Sequence, residues 1–494
     1  MSEIRFGTDG WRGVIAEEVT FANVRLVARA IARCVLTEAG RQANPHVLVG
    51  HDTRFLSREF ARAAAEAMTE EGVQVSLTSA FAPTPAFSYA VVRLQAAGAV
   101  VITASHNPPQ YSGVKFKSSF GESAPIPFTR AVEEEIRQLS AERPEGRAEA
   151  QGHSAFPVCR GGTGRRIPHS AIGSFDPRGP WLDRLEELVG LGRIGRSGIR
   201  IALDVMYGAG QGLLSGRLRR AGATVVELHG ELNPSFGDLN PEPIPQHMGT
   251  LIDYVKGWEG TGSRVGFAFD GDSDRVAPVD EDGNVITPHQ TLALLLRHLA
   301  RNRGERGTVV KSVNIGHMVD AEAESLGVPV VVTPVGFKHI AEAMQRHDAL
   351  AGGEESGGFA VRGHIPERDG ALACLLLLEC MVMTGKSLGF LVREMEAEYG
   401  AHRYGRLDLR LNSLEARDRV VEAIIASPPD RLLCVPVRHV ETMDGVKLTR
   451  TDHSWVMVRA SGTEPLLRIY AEAPMDTEVD ALLAWGRRVA QGDA

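Results

Sequence analysis

The sequence predicts an α/β protein of several domains, and three observations lead there. Short β-branched runs alternate along the chain with amphipathic stretches of helical period, the pattern of strands joined mostly by crossover helices. The chain has 494 residues, which at about 150 residues per domain implies three or four domains. Its composition, 43% hydrophobic and 23% charged, is ordinary and permits sizeable cores.

Taken in order, "HVLVGHDTR", "AGAVVITASHNP", "IRIALDVMYGAG", "RVGFAFDGDSDR", "TVVKSVNIGH" and "VPVVVTPVGFKH" each read as a strand running into a polar loop. Helical segments such as 57–71, 129–139 and 338–346 lie between them. The stretch from about 140 to 179 is rich in Gly, Pro, Arg and Ser and has no period, so it reads as a long loop or insertion before a domain boundary. The last hundred or so residues change character toward a small α+β unit. In the second run, Val100, Val101 and Ile102 favour a buried strand, and Pro108 and Pro109 must end regular structure near Asn107. Ser105 therefore lies on a loop at a strand end, the edge where open α/β sheets bind ligands. By itself that loop is better read as holding a turn or capping serine, so any other role must be argued from the rest of the chain.

Charge and cysteine content restrict the function classes. A net charge of −8 advertises no surface for nucleic acid, so an anionic ligand has to be met by local arginines and lysines. The opening "MSEIRFGTDGWRG" lacks a secretory pattern, and the longest apolar run, "ALACLLLL" before Glu379, is too short for a bilayer, so no membrane partner is expected. Five cysteines with no C-x-x-C pair imply reduced thiols and a cytoplasmic protein.

Three further loops concentrate chemistry. Asp270, Asp272 and Asp274 follow an apolar strand at alternate positions, and three close carboxylates repel unless a cation neutralises them. A hard divalent ion such as Mg²⁺ suits them. An EF-hand is excluded, because Arg275 occupies the position that needs glycine and a strand precedes the loop. Arg275 is then available to a phosphate. In "LAGGEESGGFAVRGHIPERDG", glycines flank Glu354, Glu355 and Ser356, whose acceptors suit sugar hydroxyls. In "VRASGTEPLLRIYAE", Arg459, Ser461, Gly462 and Thr463 gather donors as an anion nest would. Two look-alikes are dismissed. "GKSLG" follows a helical stretch and cannot be a nucleophile elbow, and "GAGQG" lacks the last glycine of a dinucleotide fingerprint.

The four loops together resemble those of the α-D-phosphohexomutases. "FGTDGWRG", "TASHNP", "DGDSDR", "GEESGG" and "RASGTEPLLRIY" occur in that family's order and spacing, from residue 6 to residue 470. The closest likeness is to phosphoglucomutases, through "TPVGFK" and "GEESGG". The resemblance implies three α/β domains with mixed sheets and a C-terminal α+β domain around a central cleft, with boundaries expected at 1–179, 180–290, 291–398 and 399–494. It makes Ser105 the phosphoryl carrier, with Asp270, Asp272 and Asp274 holding Mg²⁺ together with an oxygen of the phosphorylated Ser105. Arg12 would contact the phosphoserine or reacting phosphate, and Arg275 would lie beside the metal. Lys115 matches the family's general base, with its neutral form favoured by Mg²⁺ and arginines nearby. His106 is the lesser candidate, since neighbouring side chains on extended backbone point apart. Lys338 would lie near the sugar, Glu354 and Ser356 would bind its hydroxyls, and Arg459, Ser461, Gly462 and Thr463 would grip the non-reacting phosphate.

The implied activity interconverts glucose 1-phosphate and glucose 6-phosphate, with glucose 1,6-bisphosphate as intermediate and activator, in a monomer or homodimer whose partners are hexose phosphates. Two departures from the pattern stand out. Ser112 replaces an asparagine common in the family, and Gly358 replaces the histidine of mannose-active bacterial members. Phosphomannomutase and phosphoglucosamine mutase are the rivals within the family. An aspartate-nucleophile phosphatase reading "DGDSD" as its motif is a rival from outside it, and a non-catalytic sugar-phosphate sensor would need no carboxylate triad.

Overall fold

A computed structural model describes residues 4–7, 9–40, 44–141, 171–260, 262–462 and 464–492. These divide into two compact units, the first comprising residues up to 181 with 207–209 and 231–241, the second comprising the rest.

The first unit is built on a six-stranded sheet in the order Trp11–Val14, Tyr111–Lys117, Gly98–Ile102, His46–His51, Gln74–Thr78, Gly173–Phe175. Strand alternation divides its residues between two faces. Val47, Val49, Val100 and Ile102 pack with helices Phe21–Ala39, Ser57–Glu70 and Ile126–Ala141. Leu48 and Ala99 pack with Ala90 and Val91 of helix Thr84–Leu94 on the other.

Three sheets make up the second unit. One runs Val276–Val279, Arg264–Phe269, Arg200–Asp204, Thr224–Leu228, and another Val330–Thr333, Thr308–Ser312, Ala349–Gly353, Phe359–Val361. Both are parallel except at one antiparallel edge strand. The third is wholly antiparallel, with Arg403–Arg410, Leu466–Ala473 and Trp455–Ala460 at one side, and is backed by helices Leu414–Ala426 and Asp476–Gln491. Three α/β layers and a C-terminal α+β layer are the expected class. Among the described residues no single helix is long and apolar enough to cross a membrane. The apolar run 371–378 lies in helix Gly370–Thr384 and is buried throughout.

One expectation is corrected. The loop expected over 140–179 is regular at its ends: helix Ile126–Ala141 runs into it, Gly173–Phe175 pairs parallel to Gln74–Thr78, and a helix starts at Arg178. A three-residue edge strand carries no local signal, because pairing with a distant strand defines it. Residues 142–170 lie outside the described residues. The chemistry-bearing loops are hairpin connections. Each joins a strand to its antiparallel neighbour: Gly98–Ile102 to Tyr111–Lys117, Arg264–Phe269 to Val276–Val279, Ala349–Gly353 to Phe359–Val361, and Trp455–Ala460 to Leu466–Ala473. Polar hairpin tips at buried strand ends thus recur in all four layers.

Candidate active site

In the first unit Ser105 is 1% exposed and has φ 53°, a left-handed conformation rare outside glycine. Its N–H donates to Thr103 Oγ1 at 2.9 Å. Arg54, unremarked in the sequence, holds the loop. Its Nη2 donates to the carbonyls of Ser105 and Asn107, each at 2.6 Å, and its Nη1 to those of Pro108 at 2.8 Å and Tyr111 at 3.0 Å. Asp52 fixes that guanidinium at 3.2 Å, and Phe236 lies under it with the ring centroid at 4.9 Å. Arg12, on the edge strand, donates from Nη1 to Asn107 Oδ1 at 2.7 Å. The backbone at Ser105 is a turn and not extended strand, so the alternation argument used against His106 does not apply.

Lys115 is buried on strand Tyr111–Lys117, with Nζ at 2.7 Å from Asp9 Oδ2. Asp9 also receives Ser123 Oγ at 2.9 Å and lies 3.5 Å from Lys117 Nζ. The lysine thus has a carboxylate against its ammonium, a partner the sequence did not point to.

In the second unit Asp270, Asp272 and Asp274 are fully buried on one hairpin tip, and one oxygen from each falls within a 4.8 Å group. Ser273, at φ 58°, turns the chain so that alternate residues converge, and Arg275 N donates back to Asp270 Oδ1 at 3.1 Å. Burial opposes the charge on Arg275, but Asp270 and Asp274 outweigh it and hold the guanidinium above its ordinary pKa. Three buried carboxylates that close, all oxygen donors, fit a hard divalent cation. Glu281, at the twelfth position of the rejected EF-hand, instead accepts from Ser387 Oγ and Gly389 N at the start of helix Leu388–Tyr399. Ser387 of "GKSLG" caps that helix.

The loop after Ala349–Gly353 meets the triad through a residue that the sequence reading missed. Arg368 places Nη2 at 2.9 Å from Asp274 Oδ2 and Nη1 at 3.0 Å from Glu354 Oε1. Ser356 Oγ donates to the same Glu354 oxygen at 2.6 Å. Two signals could have found Arg368. It precedes a helix that is apolar and buried from Gly370 to Leu378, where a charge is buried and needs partners, and it belongs to the charged triplet "ERD". Lys338, near the start of helix Phe337–His347, is half-buried, and burial pushes its ammonium below the ordinary lysine range.

At the last hairpin, Arg459 Nε donates to Asp444 Oδ2 at 2.9 Å, which also takes the Val335 N–H at 2.9 Å. Ser461 is buried at the tip, beside Gly462. Arg417, another missed residue, donates to the Ser461 carbonyl and, at 2.9 Å, to that of Glu464. Thr463 lies outside the described residues.

Three α/β layers and an antiparallel C-terminal layer, each with one polar hairpin tip, define a four-domain phosphohexomutase architecture. The sequence matches the phosphoglucomutase/phosphomannomutase alpha/beta/alpha domains I, II and III over residues 3–143, 179–283 and 287–399, and the C-terminal domain over 413–484. The chain belongs to this family of α-D-phosphohexomutases, which are isomerases. It is 31% identical over 477 residues to a Rubrobacter xylanophilus protein named phosphoglucosamine mutase, covering 95% of this chain and 93% of that one. It is 29% identical over 484 residues to the Thermococcus kodakarensis phosphoglucomutase/phosphomannomutase, covering 97% of each. A crystal structure from Thermus thermophilus, described as a "putative phosphomannomutase", is 37% identical with a TM-score of 0.83, covering 99% of this chain and 100% of that one.

Proposed function

We propose that the protein is a phosphoglucomutase that interconverts glucose 1-phosphate and glucose 6-phosphate through a phosphorylated Ser105 and a glucose 1,6-bisphosphate intermediate. Phosphoryl transfer through a loose transition state needs positioning and charge neutralisation more than a strong nucleophile. Arg54 and Arg12 supply the positioning at Ser105. Lys115, once its ammonium proton has passed to Asp9 Oδ2 at 2.7 Å, is the base for the attacking sugar hydroxyl. Asp270, Asp272 and Asp274 would hold Mg²⁺, which when bound stabilises charge on the departing oxygen. Arg459, Ser461, Gly462 and Thr463 grip the phosphate that does not react, and the bisphosphate turns end for end between the two transfers.

One observation carries the sugar assignment. The Arg368 stem fills the space that a side chain at Gly358 would need: a Cβ there would lie 2.2 Å from Arg368 Cδ. The loop therefore offers Glu354 and Ser356 to the hydroxyls shared by glucose and mannose, with no histidine beside them. Lys338 disfavours the ammonium of glucosamine by like charge. The relatives' names make glucosamine and mannose phosphates the comparison substrates.

The test is kcat/KM for glucose, mannose and glucosamine 1-phosphates, each primed with its own 1,6-bisphosphate. Glucose should lead, with mannose about one to two decades lower, as an unpaired hydroxyl partner costs about 1–3 kcal/mol. A mannose or glucosamine value at or above that of glucose overturns the sugar assignment and leaves the mutase chemistry standing. Ser105→Ala should abolish turnover of all three and remove phosphate from the intact mass. Phosphate on Asp270 with Ser105→Ala still active would establish the phosphatase class instead.

A further inference from the structure

Arg368 joins two loops that the proposed chemistry uses separately. Its side chain is 5% exposed, and its guanidinium contacts Asp274 from one hairpin tip, Glu354 from another, and Glu367 Oε1 at 3.4 Å. A planar fork can satisfy carboxylates on different elements at once, which a lysine ammonium cannot do in the same geometry. The guanidinium lies over Phe337, its carbon 5.4 Å from the ring centroid. Gly358 admits the stem: its missing Cβ would sit 2.2 Å from Cδ and 2.6 Å from Cγ of Arg368. The backbone of Gly358 is outside the left-handed region, so steric room and not backbone freedom is what requires glycine there.

We propose that Arg368 is a positioning residue that couples divalent-cation binding at Asp270, Asp272 and Asp274 to sugar binding at Glu354, and that Gly358 is the residue that makes the coupling possible. This rests on the reading of those two loops given above. The physical basis is a shared rigid partner. Partners that orient a metal-ligating carboxylate set its affinity, and the same guanidinium orients the carboxylate that meets the sugar. Whatever fixes Arg368 from one side favours its placement on the other, and the effect is reciprocal.

Mn²⁺ binding to the full-length, dephosphorylated protein, followed by electron paramagnetic resonance, tests this with and without saturating glucose 1-phosphate. Wild type should bind Mn²⁺ about 5-fold or more tighter when the sugar phosphate is present. Arg368→Met should weaken Mn²⁺ binding by about 10–100-fold and bring the sugar-dependent factor close to one. Gly358→Ala, which alters no charge although its Cβ would also lie 3.3 Å from Glu354 Oε1, should reproduce both changes by displacing the stem. The double variant should be no worse than either single one, as expected for residues acting as a unit. Arg368→Lys should keep the charge and still lose the sugar-dependent factor. Tighter Mn²⁺ binding in Arg368→Met would mean that the guanidinium only adds repulsive charge, and would overturn the proposal. Additive effects of the two substitutions would overturn it as well. Wild type that turns over hexose phosphates but shows no sugar-dependent Mn²⁺ affinity overturns the coupling alone. Wild type that binds no Mn²⁺ overturns both this and the cation-site reading.

Discussion

Ser105 and the three aspartates are single residues whose chemistry depends on being held where their own preferences would not put them. A left-handed serine is strained by about 1–3 kcal/mol, and three buried carboxylates repel one another except as Arg275, Arg368 and a bound cation offset it. Such strain persists only where neighbours over-determine it, and at Ser105 those neighbours are Thr103 and Arg54. At the triad, Asp272 offers a nearly isosteric test. Asp272→Asn should lower kcat by about 10²–10³-fold, since it removes charge that matters most in the transition state, and should weaken Mn²⁺ binding in the same preparation. Near-normal turnover with unchanged Mn²⁺ dependence would mean that the triad is not the cation site. Serine, aspartates and sugar-loop glutamate were all legible in the sequence because each sits in a short run of unusual composition. Arg54, Arg417 and Asp9 were not, since an isolated charge in a sequence says nothing about which distant carbonyl or carboxylate it meets; at Arg368 the run "ERD" before an apolar helix marks a buried charge without naming its partners.

At the scale of elements, the hairpin tip is the unit of function. A strand that ends in the core and returns antiparallel holds both stems of its loop, which gives the tip a rigid base that a free crossover loop lacks. The serine tip needs more, because four of its carbonyls point at one guanidinium. Removing the donor of a buried acceptor costs about 1–3 kcal/mol per group. Arg54→Met should therefore destabilise the first unit by about 3 kcal/mol or more in urea unfolding, and the phosphorylated fraction of Ser105 in the intact mass should fall with it. Arg54→Lys should recover only part of the loss, as one ammonium cannot reach all four acceptors. A fully stable, fully phosphorylated Arg54→Met protein would reassign Arg54 to a bystander. The hairpin connection itself was hidden from periodicity, because a buried strand reads the same whether it returns antiparallel or crosses over through a helix.

Across the larger unit, a set of buried charges ties helix His317–Leu326 to the antiparallel sheet and makes stability depend on pH. Glu472 of strand Leu466–Ala473 accepts the His317 N–H at 2.9 Å and faces His402 at 3.1 Å. Burial works to raise its pKa, but the His402 hydrogen bond and the histidine charges outweigh that and hold it down at about 2. His289 Nδ1 accepts from Gly316 N at 2.8 Å, which requires that nitrogen to be unprotonated, and burial pushes the imidazole down to about 4. An unfolded histidine takes its proton near pH 6.5, so the unfolded chain binds it first. Stability from His289 is intact above about pH 6.5 and is lost as pH falls toward 4. The Glu472 share is lost lower still, as pH falls from the ordinary glutamate range toward 2. Urea unfolding should show about 2 kcal/mol less stability at pH 5 than at pH 7 from His289. His289→Asn, which retains an acceptor and does not titrate, should remove that part of the slope, and an unchanged slope would exclude His289 as its source.

The α/β class, the order of the four chemistry-bearing loops and the family are all written in the amino-acid sequence, because strand composition, proline stops and runs such as "TASHNP" and "DGDSDR" are local properties that survive without any contact map. Local order also excludes the EF-hand, the nucleophile elbow and the dinucleotide fingerprint, each of which fails on one residue or on the element before it. What the loops are attached to emerges from folding alone: all four are hairpin tips, Gly173–Phe175 is an edge strand, Lys115 has Asp9 for a partner, and Arg368 spans Asp274 and Glu354 through the space left by Gly358. The cause is separation along the chain. Asp274 and Arg368 are brought within 2.9 Å by packing of two sheets and a buried helix, and no periodicity or composition encodes a contact of that range.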